Sequence, residues 1–307
     1  MEKLKEYIKI MQLGEYSTTK TFKDLTTIKI GGNIKLLYYP NTIDNFILFY
    51  KYYLENINLP LIVIGNGSNI LASSKNFDGI VVCFKKIKFK YFIYKDRIVV
   101  SSGVMIMDII NYCKKKNLGG LEKLSYIPAT IGGMIKMNAG AYNDVISNYI
   151  LNFKTINKEG NMKIYDKEKL KFSYRKCHIN EDEIILECTL KLTPKNENEI
   201  NKEIQFIKNN REAKQPINTY NAGSTFKNIN NMQIWKFIDE QGLRGFRISD
   251  AMVSNKHCNF LINKNACSSD DMIKLINYIK GKIKENYNLN LECEWNLINF
   301  WKKLFIF

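Results

Sequence analysis

The chain has 307 residues, 45% of them hydrophobic and 25% charged, with a formal net charge of +16. This length is sufficient for two or three domains with substantial cores. The composition is that of an ordinary globular protein, and no apolar run approaches the roughly 20 residues that a bilayer span requires. The polar start of the chain lacks the apolar centre of a signal peptide. We therefore exclude membrane proteins and expect a soluble one.

The seven cysteines are an odd number, and none of them forms a C-x-x-C pair. Such a pattern favours neither a disulfide framework nor a zinc site. We therefore expect reduced thiols, no bound metal and a cytoplasmic location.

The positive charge has two explanations. It can indicate a polyanionic partner such as a nucleic acid, a nucleotide or a phosphorylated substrate. It can also reflect an AT-rich genome, because Lys, Asn, Ile and Tyr are abundant along the whole chain. We favour the second explanation, since no basic arm, zinc-finger spacing or aromatic RNA-binding motif accompanies the charge. No nucleic-acid partner is expected.

Apolar periodicity and turn residues predict the secondary structure. In chain order, the predicted elements are a helix at 42–56, strands at 59–64, 79–83 and 97–101, a helix at 105–116 that Gly119 and Gly120 end, strands at 150–157 and 183–193, helices at 199–212 and 232–241, a long helix that begins with a capping box at 268–271, and an alternating strand at 291–295. These elements do not alternate regularly as βαβ units, which favours an α+β fold of several small domains. Pro194 and the polar run at 195–199 indicate a domain boundary.

Residues 221–228 read Asn-Ala-Gly-Ser-Thr-Phe-Lys-Asn and place the hydroxyl of Ser224 behind a flexible Ala-Gly step. We expect a loop here, because glycine weakens both helices and strands. Such a loop can present a side chain and free N–H groups to a ligand. The alternative is a simple turn.

Two glycine-rich segments are candidate ligand-binding loops. Residues 65–69 follow a buried strand, so their N–H groups could bind a pyrophosphate, although neither the dinucleotide fingerprint nor a Walker loop is present. Residues 127–142 contain Gly132, Gly133 and Gly140, which let the backbone approach a large flat ligand. A tight turn and a glycine-rich core crossover are the respective alternatives.

Charged residues in two further segments are candidates for chemistry. Arg175, after residues 172–174, could clamp a carboxylate with its planar guanidinium, or it could be a surface arginine. Glu292 and Glu294 share one face of the strand predicted at 291–295. If that face lines a cleft, either one can act as an acid or an electrostatic partner.

Together these segments resemble the UDP-N-acetylenolpyruvoylglucosamine reductase family, flavoenzymes of peptidoglycan precursor synthesis. The resemblance runs nearly end to end, in the family's order and spacing. It is carried by residues 27–32, 65–71, 120–142, 172–175, 214–216, 222–228, 245–259 and 291–294. The chain is similar to the shorter type of the family, which lacks an extra tyrosine-bearing loop.

The resemblance implies a fold and a reaction. The expected fold is α+β, with a two-domain FAD-binding module of the vanillyl-alcohol-oxidase type at 1–80 and 81–195. A substrate-binding domain at 196–307 follows, and its last strand returns to the active site. The expected reaction is the NADPH-dependent reduction of UDP-N-acetylglucosamine enolpyruvate to UDP-N-acetylmuramate, by a monomer that carries noncovalent FAD.

The resemblance also assigns residues by their match to the family's motifs. Ser224 matches the general acid, and Arg175 and Glu294 match residues beside the enolpyruvyl carboxylate. The expected FAD contacts are Ile64, Gly65, Asn66, Gly67, Ser68, Asn69, Ile127, Pro128, Thr130, Gly132, Gly133, Asn138, Ala139 and Gly140. The expected substrate contacts are Tyr174, Lys214, Asn228 and His257.

Four positions depart from the family's pattern. Tyr126 and Ala129 stand where glycine is usual, Ile229 replaces a proline, and Asn296 stands where a basic residue is common. None of these changes removes a group that performs chemistry, so the expected reaction class is unaffected. Two alternatives remain: another FAD-dependent oxidoreductase of the same fold, and a nucleic-acid-binding protein.

Overall fold

A computed structural model describes residues 1–87, 91–230 and 232–300. The α-helices in these ranges are α1 (Glu2–Ile10), α2 (Phe22–Leu25), α3 (Ile43–Asn56), α4 (Ile106–Lys114), α5 (Ile131–Lys136), α6 (Glu197–Lys214), α7 (Ile234–Glu240) and α8 (Ser269–Tyr287). None of these helices is long and apolar enough to cross a bilayer.

The β-strands are short and numerous. They are β1 (Gly14–Ser17), β2 (Ile34–Pro40), β3 (Leu61–Ile64), β4 (Ile70–Ala72), β5 (Phe77–Cys83), β6 (Tyr91–Tyr94), β7 (Arg97–Ser101), β8 (Leu118–Gly119), β9 (Gly140–Ala141), β10 (Asp144–Val145), β11 (Ile150–Ile156), β12 (Met162–Asp166), β13 (Phe172–Ser173), β14 (Lys176–Cys177), β15 (Ile184–Lys191), β16 (Thr193–Pro194), β17 (Tyr220–Ser224), β18 (Arg247–Ile248), β19 (Ala251–Val253), β20 (Phe260–Asn263) and β21 (Asn296–Ile298).

The first sheet has the strand order β1-β2-β5-β3, in which β5 runs parallel to both β2 and β3. Helix α3 begins at the N-cap Thr42, whose hydroxyl accepts the N–H of Asn45 at 3.1 Å. Its apolar face carries Phe46 and Phe49, both fully buried in the same core as α1. Strand β5 runs across the domain boundary expected between residues 80 and 81.

The second sheet is antiparallel throughout, with the order β12-β11-β15-β7-β6. Helices α4 and α5 contribute buried isoleucines and a methionine to its core. The expectation that glycines end α4 is wrong. The helix ends at Lys114, and Asn117, with a left-handed φ of 53°, already turns the chain. Asparagine tolerates this conformation because its short polar side chain bonds locally.

The third sheet has the order β17-β20-β19-β18 and is covered by α7 and α8. The predicted start of α8 is confirmed, because Ser268 is its N-cap and the Ser268 hydroxyl accepts the N–H of Asp271 at 3.0 Å. The reciprocal bond of a full capping box is replaced, among the described residues, by a bond from the Ser268 hydroxyl to the Asp271 carboxylate. The apolar face predicted for α8 is fully or almost fully buried at Met272, Ile276, Ile279 and Ile283. Leu71, from the N-terminal part of the chain, belongs to the same core.

The expectation of a loop at 221–228 is wrong for its first half. Residues 220–224 form β17, which pairs antiparallel with β20 and carries a bulge between Asn221 and Ser224. Gly223 has a φ of +76° at this bulge, a conformation that glycine adopts without strain. Ala222 and Phe226 are buried and anchor the segment in the third core.

The strand predicted at 291–295 is also misplaced. This segment has one bridge, between Cys293 and Phe226, and the regular strand β21 begins only at Asn296. Strand β21 pairs parallel with β4. The other helices and strands predicted from the sequence exist, with ends within about two residues of those predicted.

Candidate active site

A cavity of about 760 Å³ is lined by residues from all three sheets. Strands β3, β15 and β17 each contribute to its wall, together with α5 and the last turns of α6. Ser224, Arg175 and Glu294 all line it, although they lie far apart in the sequence. The structure therefore brings the three expected catalytic residues into one site.

The two glycine-rich segments face each other across a narrow contact in the cavity wall. The Asn66 side-chain amide donates to the Pro128 carbonyl at 2.7 Å. A Cβ on Gly65 would lie 2.1 Å from Oγ1 of Thr130, so a larger residue at position 65 would force the segments apart. Glycine at position 65 is therefore required by the close approach of this backbone to the Thr130 side chain.

Every expected FAD contact except Asn138 lines the cavity. Asn138 is buried, and its amide donates to the Ser173 carbonyl at 3.1 Å. Asn138 therefore supports the hairpin that carries Arg175.

The cavity suits a large ligand with polar groups. The hydroxyl of Ser102 lines the wall and is buried without a hydrogen-bond partner in the described ranges. A buried hydroxyl without a partner is unfavourable, and a ligand can supply the missing partner. Together with the glycine-lined wall, this orphaned group fits a flavin nucleotide.

Arg175 occupies the turn of the hairpin formed by β13 and β14, where its φ is +56°. A left-handed backbone is uncommon for arginine and often marks a functional position. Its Nε donates to Oε1 of Glu294 at 2.9 Å. The terminal guanidinium nitrogens have no partner among the described residues, so they are available to a ligand.

Glu294 is fixed by its backbone on both sides. Its N–H donates to the Thr225 carbonyl at 2.8 Å, and its carbonyl accepts the Asn69 amide at 3.1 Å. The carboxyl lies between the Ser224 segment and the expected FAD loop. Burial raises the pKa of Glu294, and this effect outweighs the attraction of Arg175, which acts to lower it.

Ser224 ends β17, and the residues after it are held rigidly by Asn259. The N–H of Thr225 donates to the Asn259 carbonyl at 2.7 Å. The Asn259 side chain accepts the N–H of Phe226 at 2.9 Å and donates to its carbonyl at 2.8 Å. The Ser224 hydroxyl itself has no hydrogen-bond partner in the described part of the chain.

The four expected substrate contacts lie in different places. Tyr174 and Asn228 meet beside Arg175, since the Tyr174 hydroxyl accepts the Asn228 N–H at 3.4 Å. Lys214 is exposed at the end of α6, outside the cavity lining. His257 also lies outside that lining, between the rings of Trp235 and Phe260, and burial lowers its pKa.

Two departures from the family's pattern have visible structural effects. Tyr126 has a left-handed φ of +58° where the family usually has glycine. The Asn296 side-chain amide donates to the Asn69 carbonyl at 3.3 Å, beside the backbone bond between the same residues, so asparagine here helps to fix the expected FAD loop.

Sequence reasoning missed the polar face of α6. Lys208, Arg211, Glu212 and Gln215 all line the cavity. Lys208, Arg211 and Glu212, at spacings of three and four residues, share one helical face, and Gln215 follows α6 as its C-cap. This polar stripe was visible in the sequence. Asn259 was also missed, because its role depends on a contact between two distant segments.

Replacing Gly65 with alanine should weaken FAD binding. Overpacking against Thr130 costs about 1–3 kcal/mol, which corresponds to roughly 5- to 150-fold in affinity if the bound conformation carries the whole cost. Fluorescence titration of the flavin-free protein with FAD measures this. Gly281→Ala is the control, because no atom lies within 4 Å of a Cβ there and α8 should gain up to about 1 kcal/mol. Equal FAD affinity in both variants would contradict the tight contact.

The stability contribution of Glu294 should fall as pH rises. A native-state pKa above the ordinary value means that the native state binds more protons than the unfolded chain in that interval. The free energy of unfolding therefore decreases with pH through this group. Urea unfolding of the protein and of Glu294→Gln, between about pH 4 and pH 8, should give a difference that shrinks with pH. Glu292→Gln, at an exposed position two residues away, controls for loss of one carboxylate.

If the difference in unfolding free energy between the protein and Glu294→Gln grows with pH, the predicted effect of burial on Glu294 is wrong. That result would mean that the attraction of Arg175 outweighs burial.

Comparisons with known proteins agree with this site. Residues 34–165 match a family model described as FAD binding domain, and residues 215–298 match one described as UDP-N-acetylenolpyruvoylglucosamine reductase, C-terminal domain. The UDP-N-acetylenolpyruvoylglucosamine reductase of Orientia tsutsugamushi (strain Ikeda) is 35% identical over 291 residues, which are 93% of this chain and 95% of the relative. The enzyme of Clostridium botulinum (strain 657 / Type Ba4) is 37% identical over 281 residues, 90% of each chain.

A solved structure gives the same result. The crystal structure of the UDP-N-acetylenolpyruvylglucosamine reductase of Thermus caldophilus has a TM-score of 0.77 and 28% sequence identity. The match covers 93% of this chain and 98% of the other. These findings confirm the expected α+β fold with its FAD-binding module, and FAD as the cofactor. Given relatives above 30% identity that align over nine-tenths of its length, the chain belongs to the UDP-N-acetylenolpyruvoylglucosamine reductase family.

Proposed function

We propose that this protein reduces UDP-N-acetylglucosamine enolpyruvate to UDP-N-acetylmuramate with NADPH, and that Arg175, Glu294 and Ser224 are its catalytic residues. The observation that carries the proposal is their convergence on one cavity whose wall suits a flavin nucleotide. When bound, FAD would supply the hydride-transfer chemistry that links NADPH to the methylene carbon of the substrate. Residues 64–69 and 127–140 would hold it.

Arg175 would bind the carboxylate of the enolpyruvyl group. The Nε of Arg175 donates to Glu294, which leaves the two terminal nitrogens of the guanidinium as a planar pair of donors. Such a pair matches a carboxylate and stabilises the negative charge that develops on it during reduction. Glu294 thus orients the guanidinium, and burial raises the pKa of its carboxyl above the ordinary value.

Ser224 would donate the proton to the carbon next to the carboxylate. Its hydroxyl is available, and the Asn259 bridge holds the following backbone in place. A serine hydroxyl is a very weak acid, so its site must stabilise the resulting alkoxide. The positive charge of Arg175, which lines the same cavity, supports this role.

The expected substrate contacts remain part of the proposal. Tyr174 and Asn228 lie beside Arg175, where they could orient the sugar nucleotide. Lys214 and His257 lie outside the cavity lining, so they would contact only a part of the substrate that extends beyond the cavity.

We also propose three domains, at 1–80, 81–195 and 196–307, in a cytoplasmic monomer. Three sheets, each with a hydrophobic core, support the division, although β5 places the end of the first domain nearer residue 83. The seven cysteines are all free thiols, which supports a reducing compartment.

Turnover of UDP-N-acetylglucosamine enolpyruvate with NADPH tests the proposed function. A flavoprotein that oxidises NADPH but leaves this substrate unreduced would be another oxidoreductase of the same fold. A colourless protein that does not bind added FAD would contradict both readings. Acid precipitation should release all the flavin, because the cofactor is expected to be noncovalent.

Arg175→Lys should lower kcat for substrate reduction by roughly 10²-fold, because lysine keeps the charge but loses the planar pair of donors. FAD affinity should change much less. Steady-state kinetics and FAD titration measure the two effects. Arg97→Lys, at an exposed position, is the matched control. Full turnover in the Arg175 variant would show that this residue is not the clamp.

Ser224→Ala should slow oxidation of the reduced flavin by substrate by about 10²- to 10⁴-fold, the usual loss for a positioned acid. Reduction of the flavin by NADPH should remain nearly intact, because the proton is needed only afterwards. Ser224→Cys should recover part of the activity, since a thiol can also deliver a proton. Stopped-flow absorbance follows each half-reaction. Equal slowing of both would mean that Ser224 shapes the site instead.

A further inference from the structure

The α6 side of the cavity carries a positive charge that the fold itself does not use. Arg211 lies in the last turn of α6 and lines the cavity. Its Nε is buried, with no hydrogen-bond partner in the described ranges. Nor does any carboxylate described in the structure form an ion pair with it, whereas Lys208 on the same face lies 4.0 Å from Glu212.

An arginine in this position needs an anion. Arg211 as a whole is half-buried, but its Nε is enclosed without a partner among the described residues. Such burial is costly for a charged group, and guanidinium does not give up its proton in proteins. Burial lowers the pKa of Arg211, as expected for a cation removed from water without compensation. Since the fold supplies no partner in the described residues, a ligand in the cavity is the group that would complete the site.

The kind of anion follows from the reaction. Arg175 already takes the enolpyruvyl carboxylate in the proposed mechanism. The remaining permanent negative charges of the ligands are phosphates: the pyrophosphates of FAD, of NADPH and of the UDP-sugar, and the 2′-phosphate of NADPH. The flavin ring is neutral when oxidised, so it would leave the arginine uncompensated in one state of the cycle. Guanidinium matches phosphate oxygens well, because it offers two parallel donors.

We propose that Arg211 binds a phosphate group of one of the nucleotide ligands that enter this cavity. The proposal rests on the proposed function, which supplies the three ligands. Lys208, on the same face of α6, and Gln215, the C-cap residue after it, also line the cavity and would add polar contacts. The lining continues from α6 through Pro216 and Asn221 to Ser224, so one continuous wall would join the phosphate contact to the reacting centre.

The test compares Arg211→Met with the unaltered protein. Three affinities are measured separately: FAD for the flavin-free protein by fluorescence quenching, and NADP⁺ and UDP-N-acetylglucosamine enolpyruvate for the oxidised holoenzyme by calorimetry. The affinity for one of the three ligands should fall roughly 10- to 100-fold, which is the usual loss when a hydrogen bond to a charged group is removed. The ligand whose affinity falls is the one that Arg211 binds. Lys202→Met, exposed on α6 outside the cavity lining, controls for loss of a charge.

Three unchanged affinities would overturn the proposal. So would a lower midpoint potential of the bound flavin with unchanged affinities, because the guanidinium would then act on the flavin ring. If thermal unfolding shows that Arg211→Met is misfolded, Arg211→Lys takes its place, with a smaller loss expected for the same ligand. Turnover of the unaltered protein separates the two hypotheses: its absence contradicts the proposed function, whereas turnover with unchanged affinities contradicts only the role of Arg211.

Discussion

The site depends on one extended segment near the end of the chain, which is hydrogen-bonded on two sides. On one side, residues 292–294 bond to the backbone of Thr225 and Lys227. On the other, the Glu294 carbonyl and Asn296 bond to Asn69, and β21 pairs with β4. These bonds join the third sheet to the first glycine-rich loop. They also hold the Glu294 side chain against Arg175.

Gly223 and Arg175 both have a positive φ in this site, but what stabilises that conformation differs between them. Gly223 adopts its positive φ freely, and the resulting bulge changes the direction of β17 just before Ser224. Arg175 adopts a positive φ without that freedom, so its surroundings must hold it. The pairing of β13 with β14 and the Asn138 bond to Ser173 do so. Rigidity around the site therefore comes from neighbouring polar contacts.

The sequence was informative where the pattern is local. The apolar faces of α3 and α8 and the cap at Ser268 follow from spacing and side-chain chemistry alone. The sequence failed where long-range pairing decides the outcome: β17 is a strand because β20 lies beside it, and 291–295 is irregular because its partners are split between two segments. For the same reason Arg211 was missed, since its lack of a partner appears only once the cavity wall is assembled.

The pairing of β4 with β21 also sets the order in which the site can form. The bond between Asn69 and Glu294 spans 225 residues of sequence. Closing so long a loop has an entropic cost. The contacts within the first sheet do not offset this cost, because the partner residues of Asn69 are held in position by the third sheet. During synthesis, the first two sheets can fold while the chain is still emerging, but their glycine-rich wall lacks its last strand. The site is thus complete only when β21 has paired with β4.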